Sequence, residues 1–186
     1  MRQLVLALSF GFALAACGQS ERARVAVDPE LEALYVQLEQ APDAAAAGPV
    51  EQEIYARWAD SGSPTVNILL ERAAAADNAG DAELANRLLD QASDLAPNYA
   101  EPWNRRATMA YRAEDYAGAV SALQETLKRE PRQFAALAVL GLIYEELGQQ
   151  RAALEAFRAA LVIHPNYDLA IQGVRRLEPR VDGRDA

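Results

Sequence analysis

The apolar residues between Val66 and Tyr167 follow a helical spacing that repeats every 34 residues. Pro97, Pro131 and Pro165 mark this period, and the first and last of them begin the same tripeptide, PNY. Large and small side chains recur in fixed columns of the repeat: Leu69, Trp103 and Leu137; Leu89, Leu123 and Phe157; Ala73, Ala107 and Gly141; Ala85, Ala119 and Ala153. A fixed period of this length predicts an array of units, none of which buries its apolar face alone.

Each unit contains one interruption near its middle and one near its end. Gly80 and Gly148 occupy the fifteenth position of the first and third units. A glycine there can take the positive φ that ends a helix. Proline at position 32 cannot lie inside a continuing helix, so it separates one unit from the next. The units, residues 66–99, 100–133 and 134–167, are therefore predicted to be three helical hairpins.

The segments on both sides of the three units also predict helices. Asp28 and Pro29 suit the N-cap and first position of a helix, and a second helix is expected after Pro49, beyond an alanine-rich spacer or frayed helix. Extending the register backwards places large residues in the repeat columns: Tyr35, Leu38, Tyr55 and Trp58. Residues 28–65 are therefore interpreted as a degenerate repeat or cap at the front end. Residues 168–178 are expected to form a capping helix before a polar tail, 179–186.

The repeat resembles the tetratricopeptide repeat (TPR). The third unit carries the pattern most fully, in Leu137, Leu140, Gly141, Tyr144, Ala153, Phe157, Ala160 and Pro165. The resemblance implies an all-α fold, a right-handed solenoid of helical hairpins with a degenerate N-terminal hairpin and a C-terminal capping helix. Arg72, Arg106 and the turn residue Glu114 depart from the family pattern. The arrangement also resembles TPR proteins exported by alphaproteobacteria, a likeness that brings no activity with it.

The first residues carry a different, non-repeating pattern. Arg2 is followed by an apolar run and then by small residues up to Cys17, the order typical of an export signal. The run is shorter than the roughly 20 residues of a membrane-spanning helix. Residues 14–17, LAAC, resemble the lipobox of bacterial lipoproteins. This resemblance implies a signal peptide over residues 1–16, lipid on Cys17 and a tether over residues 17–27; an ordinary cleaved signal peptide is the alternative.

Lipidation would place the protein in the cell envelope. A lone cysteine in an oxidising compartment has no intramolecular partner, and a thioether to lipid removes its reactive thiol. Several acyl chains on Cys17 give a stable anchor. We therefore expect a lipid-anchored protein that faces the periplasm, and Gly18, which is not aspartate, favours the outer over the inner membrane.

Charge and residue types argue against several functions. The chain has 18 basic and 27 acidic residues and a net charge of −9, which disfavours nucleic-acid binding. His164 is the only histidine and Cys17 the only cysteine, so neither a transition-metal site nor a Cys–His pair is expected. His164 is interpreted as a solvated turn residue. The sequence also lacks a nucleophile elbow and a phosphate loop, so we expect no enzyme and no cofactor.

The TPR resemblance implies binding along a concave face lined by positions 2, 5, 9, 12 and 13 of each unit. The middle unit is the most polar there, and the predicted partner-binding groove comprises Asn104, Thr108, Tyr111, Arg112 and, from the third unit, Leu142. Asn104 can pair with a peptide backbone, Tyr111 offers an aromatic contact, and Arg112 can hold a carboxylate. An ordinary polar helix face is the alternative. Because Arg112 is the only basic residue at these positions, the carboxylate clamp of the family is not predicted.

Two classes of function remain after these exclusions. The first is a membrane-anchored periplasmic adaptor or assembly factor that holds a peptide or helix of another envelope protein in its groove. The second is a structural subunit of an envelope complex that contacts copies of itself. The sequence names no partner for either function.

Overall fold

A computed structural model of the chain describes residues 28–181 and 183. This part of the chain contains nine α-helices and no β-strand, which confirms the all-α prediction. The helices are α1 Pro29–Gln40, α2 Ala44–Ala59, α3 Pro64–Asn78, α4 Ala82–Leu95, α5 Glu101–Arg112, α6 Tyr116–Arg129, α7 Phe134–Glu146, α8 Gln150–Ile163 and α9 Asp168–Val181. None of the described helices is long and apolar enough to cross a membrane. Cys17 and the predicted signal peptide and tether lie outside the described residues.

Three helical hairpins, α3–α4, α5–α6 and α7–α8, correspond to the three 34-residue units, although α3 begins at Pro64, two residues before the predicted start of the first unit. Their tight turns have positive φ at Gly80 (79°), Gly148 (71°) and also Glu114 (59°), so the second hairpin turns without a glycine. The second helices of the first two hairpins begin at aspartate caps. Asp81 accepts a hydrogen bond from the backbone N–H of residue 84, and Asp115 from that of residue 118, both at 2.9 Å. These local signals produce the solenoid of hairpins that the resemblance implied.

The third hairpin and the capping helix pack around one aromatic ring. Phe157 of α8 is fully buried between Gly141 of α7 and Gly173 of α9. A Cβ atom at Gly141 would lie 2.7 Å from the ring of Phe157, and one at Gly173 would lie 2.5 Å from it. The first two units have leucine in the column of Phe157, and they have alanine in the column of Gly141. Helix α9 continues through Pro179 to Val181, three residues beyond the predicted end.

Helix α2 begins earlier than the sequence pattern predicted. Its N-cap is Asp43, whose carboxylate accepts a hydrogen bond of 2.9 Å from the Ala46 N–H. The helix then runs through Gly48 and Pro49. Pro49 lacks an N–H and so removes one helical hydrogen bond. Burial of Ala47 and the favourable helix propensity of the alanines offset this loss, so the stretch is neither a spacer nor frayed.

The N-terminal hairpin α1–α2 does not simply stack on the front of the first unit. Its buried residues and those of the third unit form one apolar cluster. The members of this cluster include Leu34, Tyr35, Leu38, Ile54, Trp58, Phe134, Ala138, Leu154 and Phe157. The buried residues of the first unit form a separate cluster. The expected front-end cap is therefore corrected: the hairpin lies along the array because its aromatic residues pack on Phe134, at the start of the third unit.

Candidate functional site

A pocket of about 230 Å³ lies between the first helices of the first and second units, α3 and α5. It is lined by Ala73, Ala74, Asp77, Leu89, Glu101, Asn104, Arg105, Thr108, Met109 and Arg112. Three predicted groove residues, Asn104, Thr108 and Arg112, are therefore brought together in one concavity. We call this concavity the α3–α5 pocket.

Ion pairs and hydrogen bonds fix the polar side chains of the α3–α5 pocket. Arg112 forms an ion pair with Asp77, which links α5 to α3. Arg105 pairs with Glu101 at 2.8 Å and also donates to the Leu70 carbonyl at 3.1 Å. The two acids and two arginines of the lining cancel in charge. The pocket therefore offers hydrogen-bonding groups at its rim without an excess of either charge.

Helix geometry holds the remaining polar groups in place. The amide nitrogen of Asn104 donates to Glu101 Oε2 at 3.0 Å, and the hydroxyl of Thr108 donates to the Asn104 carbonyl at 3.1 Å. These residues are three and four positions apart, the spacing at which side chains meet on one helix face. Asn104 and Thr108 therefore present fixed side chains to the pocket.

The other two predicted groove residues lie elsewhere. The ring of Tyr111 packs near that of Tyr116, with their centroids 6.1 Å apart, and Tyr111 does not line the α3–α5 pocket. Leu142 is half-buried against the cluster that joins the third unit to the N-terminal hairpin. Leu142 thus contributes to the packing of the chain on itself, and the pocket residues come from the first two units.

Arg105 is a pocket residue that the sequence analysis missed. It occupies position 6 of its unit, outside the five lining positions that the family resemblance supplied. The four-residue spacing from Glu101 to Arg105 could have indicated an ion pair on one helix face. Its additional bond to the Leu70 carbonyl on α3 depends on how two units stack, and the sequence pattern alone does not show this.

The N-terminal hairpin contacts all three proline turns, and this explains the repeated PNY. The Tyr99 hydroxyl donates to the Trp58 carbonyl at 2.9 Å, and the hydroxyls of Tyr167 and Tyr55 lie 3.5 Å apart. In the middle turn, the Arg132 guanidinium lies 3.9 Å from the centroid of the Tyr35 ring. We call these contacts the hairpin interface. Burial raises the pKa of four of its phenols: Tyr35, Tyr55, Tyr99 and Tyr167.

His164 lies in the hairpin interface, so its interpretation as a solvated turn residue is wrong. Its side chain is 1% exposed, and its ring packs edge-on against Phe134 with the centroids 4.9 Å apart. Its Nε2 atom lies 3.2 Å from a carboxylate oxygen of Glu51 on α2. The turn is buried because α2 covers it. Within residues 28–181 and 183, no group of three histidine, cysteine or acidic side chains could hold a metal ion.

The sequence is similar to known repeat proteins over most of its length. A TPR repeat-containing protein of Rhizobium etli is 35% identical over 153 residues, which are 82% of this chain and 75% of that protein. The chain belongs to the tetratricopeptide repeat family. The family profile described as tetratricopeptide repeat matches residues 104–168. Both findings confirm the predicted TPR family, and the relative comes from an alphaproteobacterium, as the resemblance implied.

Solved TPR structures share the fold at low sequence identity. The first TPR domain of Spaghetti (RPAP3), bound to the HSP90 peptide SRMEEVD, has a TM-score of 0.58 and 19% identity, and covers 66% of this chain and 96% of that one. MamA has a TM-score of 0.57 and 23% identity, with 67% and 73% covered. The Sgt2 TPR domain of Aspergillus fumigatus gives 0.57 and 18%, with 66% and 83% covered. These likenesses confirm the TPR solenoid.

Proposed function

We propose that this TPR protein is a non-enzymatic adaptor or assembly factor of the cell envelope, which holds a peptide or helix of another envelope protein in the α3–α5 pocket. The observation that carries the proposal is the lining of this pocket. Its apolar part is made by Leu89, Ala73 and Met109, and its rim by Asn104 and Thr108. Apolar contact with a few placed polar groups is the usual composition of a ligand site.

The size of the pocket favours a peptide over a small molecule. Small-molecule sites usually enclose roughly 300–1,000 Å³, and the α3–α5 pocket has about 230 Å³. A side chain that projects from a bound peptide suits this smaller volume. A peptide complex of a structural neighbour, the Spaghetti TPR domain with its HSP90 peptide, supports the same class of ligand.

The charges of the pocket specify the anchoring side chain. Both arginines already hold a carboxylate, Arg105 that of Glu101 and Arg112 that of Asp77. An acidic ligand would have to displace one of these acids and leave it without its partner. We therefore propose an apolar anchoring side chain, flanked by peptide groups that hydrogen-bond to Asn104 and to the exposed guanidinium of Arg112.

Photocrosslinking identifies the partner and tests the pocket. A photoreactive residue at exposed Thr108 should crosslink one envelope protein in cells, which mass spectrometry then identifies. Arg112→Ala should weaken binding of the identified segment by about 1.5–3 kcal/mol, roughly 10- to 150-fold. Arg87→Ala is the matched control, because Arg87 also forms an ion pair but lies outside the pocket. Equal affinities of the two variants would place the binding surface elsewhere.

We also propose that lipid on Cys17 anchors the protein to the membrane, with Gly18 directing it to the outer membrane. The lipobox resemblance of residues 14–17 supports this proposal. Cys17→Ala should move the protein from the membrane to the soluble fraction of the cell. Cys17→Ala that stays firmly membrane-bound would contradict the anchor.

The mass of the purified protein in solution separates the adaptor from the structural homo-oligomer. A monomer at micromolar concentration supports an adaptor that keeps its pocket for another protein. A stable oligomer that buries Thr108 would instead support a subunit that contacts copies of itself.

A further inference from the structure

We propose that the outer face of α3, formed by Ile68, Arg72 and Ala75, is a second docking surface, separate from the α3–α5 pocket. Its occupant is an amphipathic helix of a partner protein that carries small residues and one carboxylate. This face is exposed in the first unit and covered in the other two, and the ion pair of Arg106 in the second unit specifies the carboxylate.

The outer-face residues stand in columns that are covered in the third unit. There the same three positions, 3, 7 and 10, hold Ala136, Leu140 and Ile143, which are between 0 and 7% exposed and pack with α6. In the second unit they hold Pro102, which is buried, and Arg106 and Met109, which are half-buried. In the first unit Ile68 is 53% exposed, and Arg72 and Ala75 are exposed as well.

The exposure follows from the position of the N-terminal hairpin. In the second and third units, the helix that precedes the hairpin, α4 or α6, covers these columns. Helix α2 precedes α3, but its buried residues Ile54 and Trp58 belong to the cluster around Phe134. Within residues 28–181, no helix therefore covers the face of α3 that is covered by a helix in the other two units.

Arg72 indicates which charge the docking helix carries at this contact. In the next unit the same column holds Arg106, which pairs with Asp90 of the preceding helix α4. Arg72 has no ion pair with any of the described residues. A carboxylate on a docking helix would complete at Arg72 the contact that Asp90 makes with Arg106.

Helix α4 supplies the template for the occupant. Ala82, Asn86 and Asp90 lie one helical turn apart on an exposed edge of α4. Ala82 and Asn86 line an open cleft together with Arg106 and Met109 of α5, the counterparts of Arg72 and Ala75, and Asp90 pairs with Arg106. A helix with small, polar and acidic residues at this spacing therefore fits the outer face of α3.

The outer face is distinct from the pocket on the same helix. Asp77, which lines the pocket, lies nine residues after Ile68, and so about half a turn around α3 from it. A ligand in the α3–α5 pocket would therefore leave the outer face free. For the same reason, a substitution of Arg112 should affect binding only at the pocket, and a substitution of Arg72 should affect binding only at the outer face.

A labelled peptide tests the docking surface. The probe has residues 81–95 of this chain and a hydrocarbon staple between positions 87 and 91, both of which are exposed on α4. The staple is needed because an isolated helix of this length is marginal in water. Fluorescence anisotropy with the full chain in detergent should show saturable binding. Ile68→Glu and Arg72→Glu should each weaken it about tenfold or more, whereas Arg112→Ala should not change it.

Exchanging the two charges tests whether Arg72 contacts the acidic residue of the probe directly. A probe with Asp90→Lys should bind Arg72→Glu better than the original probe does, because the swap restores the ion pair. Binding that survives Ile68→Glu, absence of saturable binding, or failure of the charge swap would each overturn the proposal. Loss of binding in Arg112→Ala would assign the probe to the pocket and overturn it too. Self-association that Ile68→Glu abolishes would make a second copy the occupant, contrary to the proposal.

Discussion

The first helices of the second and third units, α5 and α7, follow the same repeat pattern but face different surroundings. At positions 2, 5 and 9, α5 has Glu101, Asn104 and Thr108, and α7 has Ala135, Ala138 and Leu142. The α5 residues line a pocket that is open to solvent. The α7 residues pack within or against the cluster that includes the N-terminal hairpin.

This difference shows which columns of the repeat specify the fold and which specify the surface. The columns that begin with Leu69, Ala73, Ala85 and Leu89 pack within a hairpin and hold apolar residues in all three units, so each hairpin forms in the same way. The concave columns vary freely, and their polarity decides whether the helix contacts the chain's own hairpin or remains available to a partner. The polar residues of α5 leave the pocket open, whereas the apolar residues of α7 pack in the cluster that contains Trp58 and Tyr55.

The largest expected effect comes from removing the aromatic contact that closes the α7 side. Trp58 is 8% exposed, its ring lies 5.0 Å from that of Phe134, and its indole N–H donates to Tyr35. Trp58→Ala should lower the free energy of unfolding by about 3–5 kcal/mol, measured by urea denaturation. It should also increase binding of the apolar dye ANS, because the surface of α7 becomes accessible.

An exposed valine provides the control for Trp58→Ala. Val162 is 76% exposed, so Val162→Ala should change the free energy of unfolding by less than about 0.5 kcal/mol. If Trp58→Ala costs no more than this control, the hairpin does not contribute to the stability of the α7 side.

High pH should also weaken the hairpin interface. Burial raises the pKa of Tyr35, Tyr55, Tyr99 and Tyr167, so the folded chain keeps these protons when the unfolded chain, with pKa values of about 10, begins to lose them. Stability is therefore full below about pH 10 and falls above it, by up to about 1.4 kcal/mol per pH unit for each tyrosine. Urea denaturation at about pH 8 and pH 11 measures the fall.

A phenylalanine variant tests the assignment of this pH dependence. Tyr55→Phe removes one of the four phenols and should make the fall above pH 10 shallower. A fall that is as steep in Tyr55→Phe as in the original chain would assign the pH dependence to other groups.

The contact between Gly141 and the ring of Phe157 tests the packing within a hairpin. Gly141→Ala would place a Cβ atom 2.7 Å from this ring, and such overpacking should cost about 1–3 kcal/mol. Phe157→Leu added to Gly141→Ala recreates the Ala–Leu pair of the first two units and should recover part of the loss. Thermal unfolding of the two single variants and the double variant measures the coupling, and strictly additive costs would contradict direct packing.

The sequence predicted the parts of this structure that local physics determines. The 34-residue period, the turn glycines and the prolines predict where the helical hairpins form, and the three hairpins are found there. Of the five residues predicted from the concave columns, the structure places Asn104, Thr108 and Arg112 in one pocket. These signals act within one unit or between units of fixed spacing, so a single sequence contains them.

The sequence did not predict features that depend on contacts far along the chain. The columns of Tyr35 and Trp58 identify a helical hairpin, but they do not show which unit it packs against, and in the structure it packs on Phe134 of the third unit. The burial of His164 follows from the same placement. Arg105 joins the pocket through the Leu70 carbonyl, which lies in another unit.

A smaller effect is expected at the turn that lacks glycine. Glu114 has a φ of 59°, a left-handed conformation that costs an L-residue roughly 1–2 kcal/mol. Glu114→Gly should raise the free energy of unfolding by about 1 kcal/mol and the melting temperature by about 2–4 °C. Gly80→Ala, at a φ of 79°, is the matched opposite and should destabilise the first hairpin. A loss of stability in Glu114→Gly would show that its side chain compensates for the strained backbone.

The smallest effect on stability is expected at the pocket itself. The side chain of Arg112 is 53% exposed, so its ion pair with Asp77 is screened by water and should contribute less than about 1 kcal/mol to folding. Arg105 is 30% exposed and also bonds the Leu70 carbonyl, so Arg105→Ala should cost more than Arg112→Ala. Urea denaturation at low and high salt measures both, and salt should reduce only the contribution of the exposed pair. A cost at Arg112 as large as that at Trp58 would mean that the pocket side chains hold the array together and are not available to a partner.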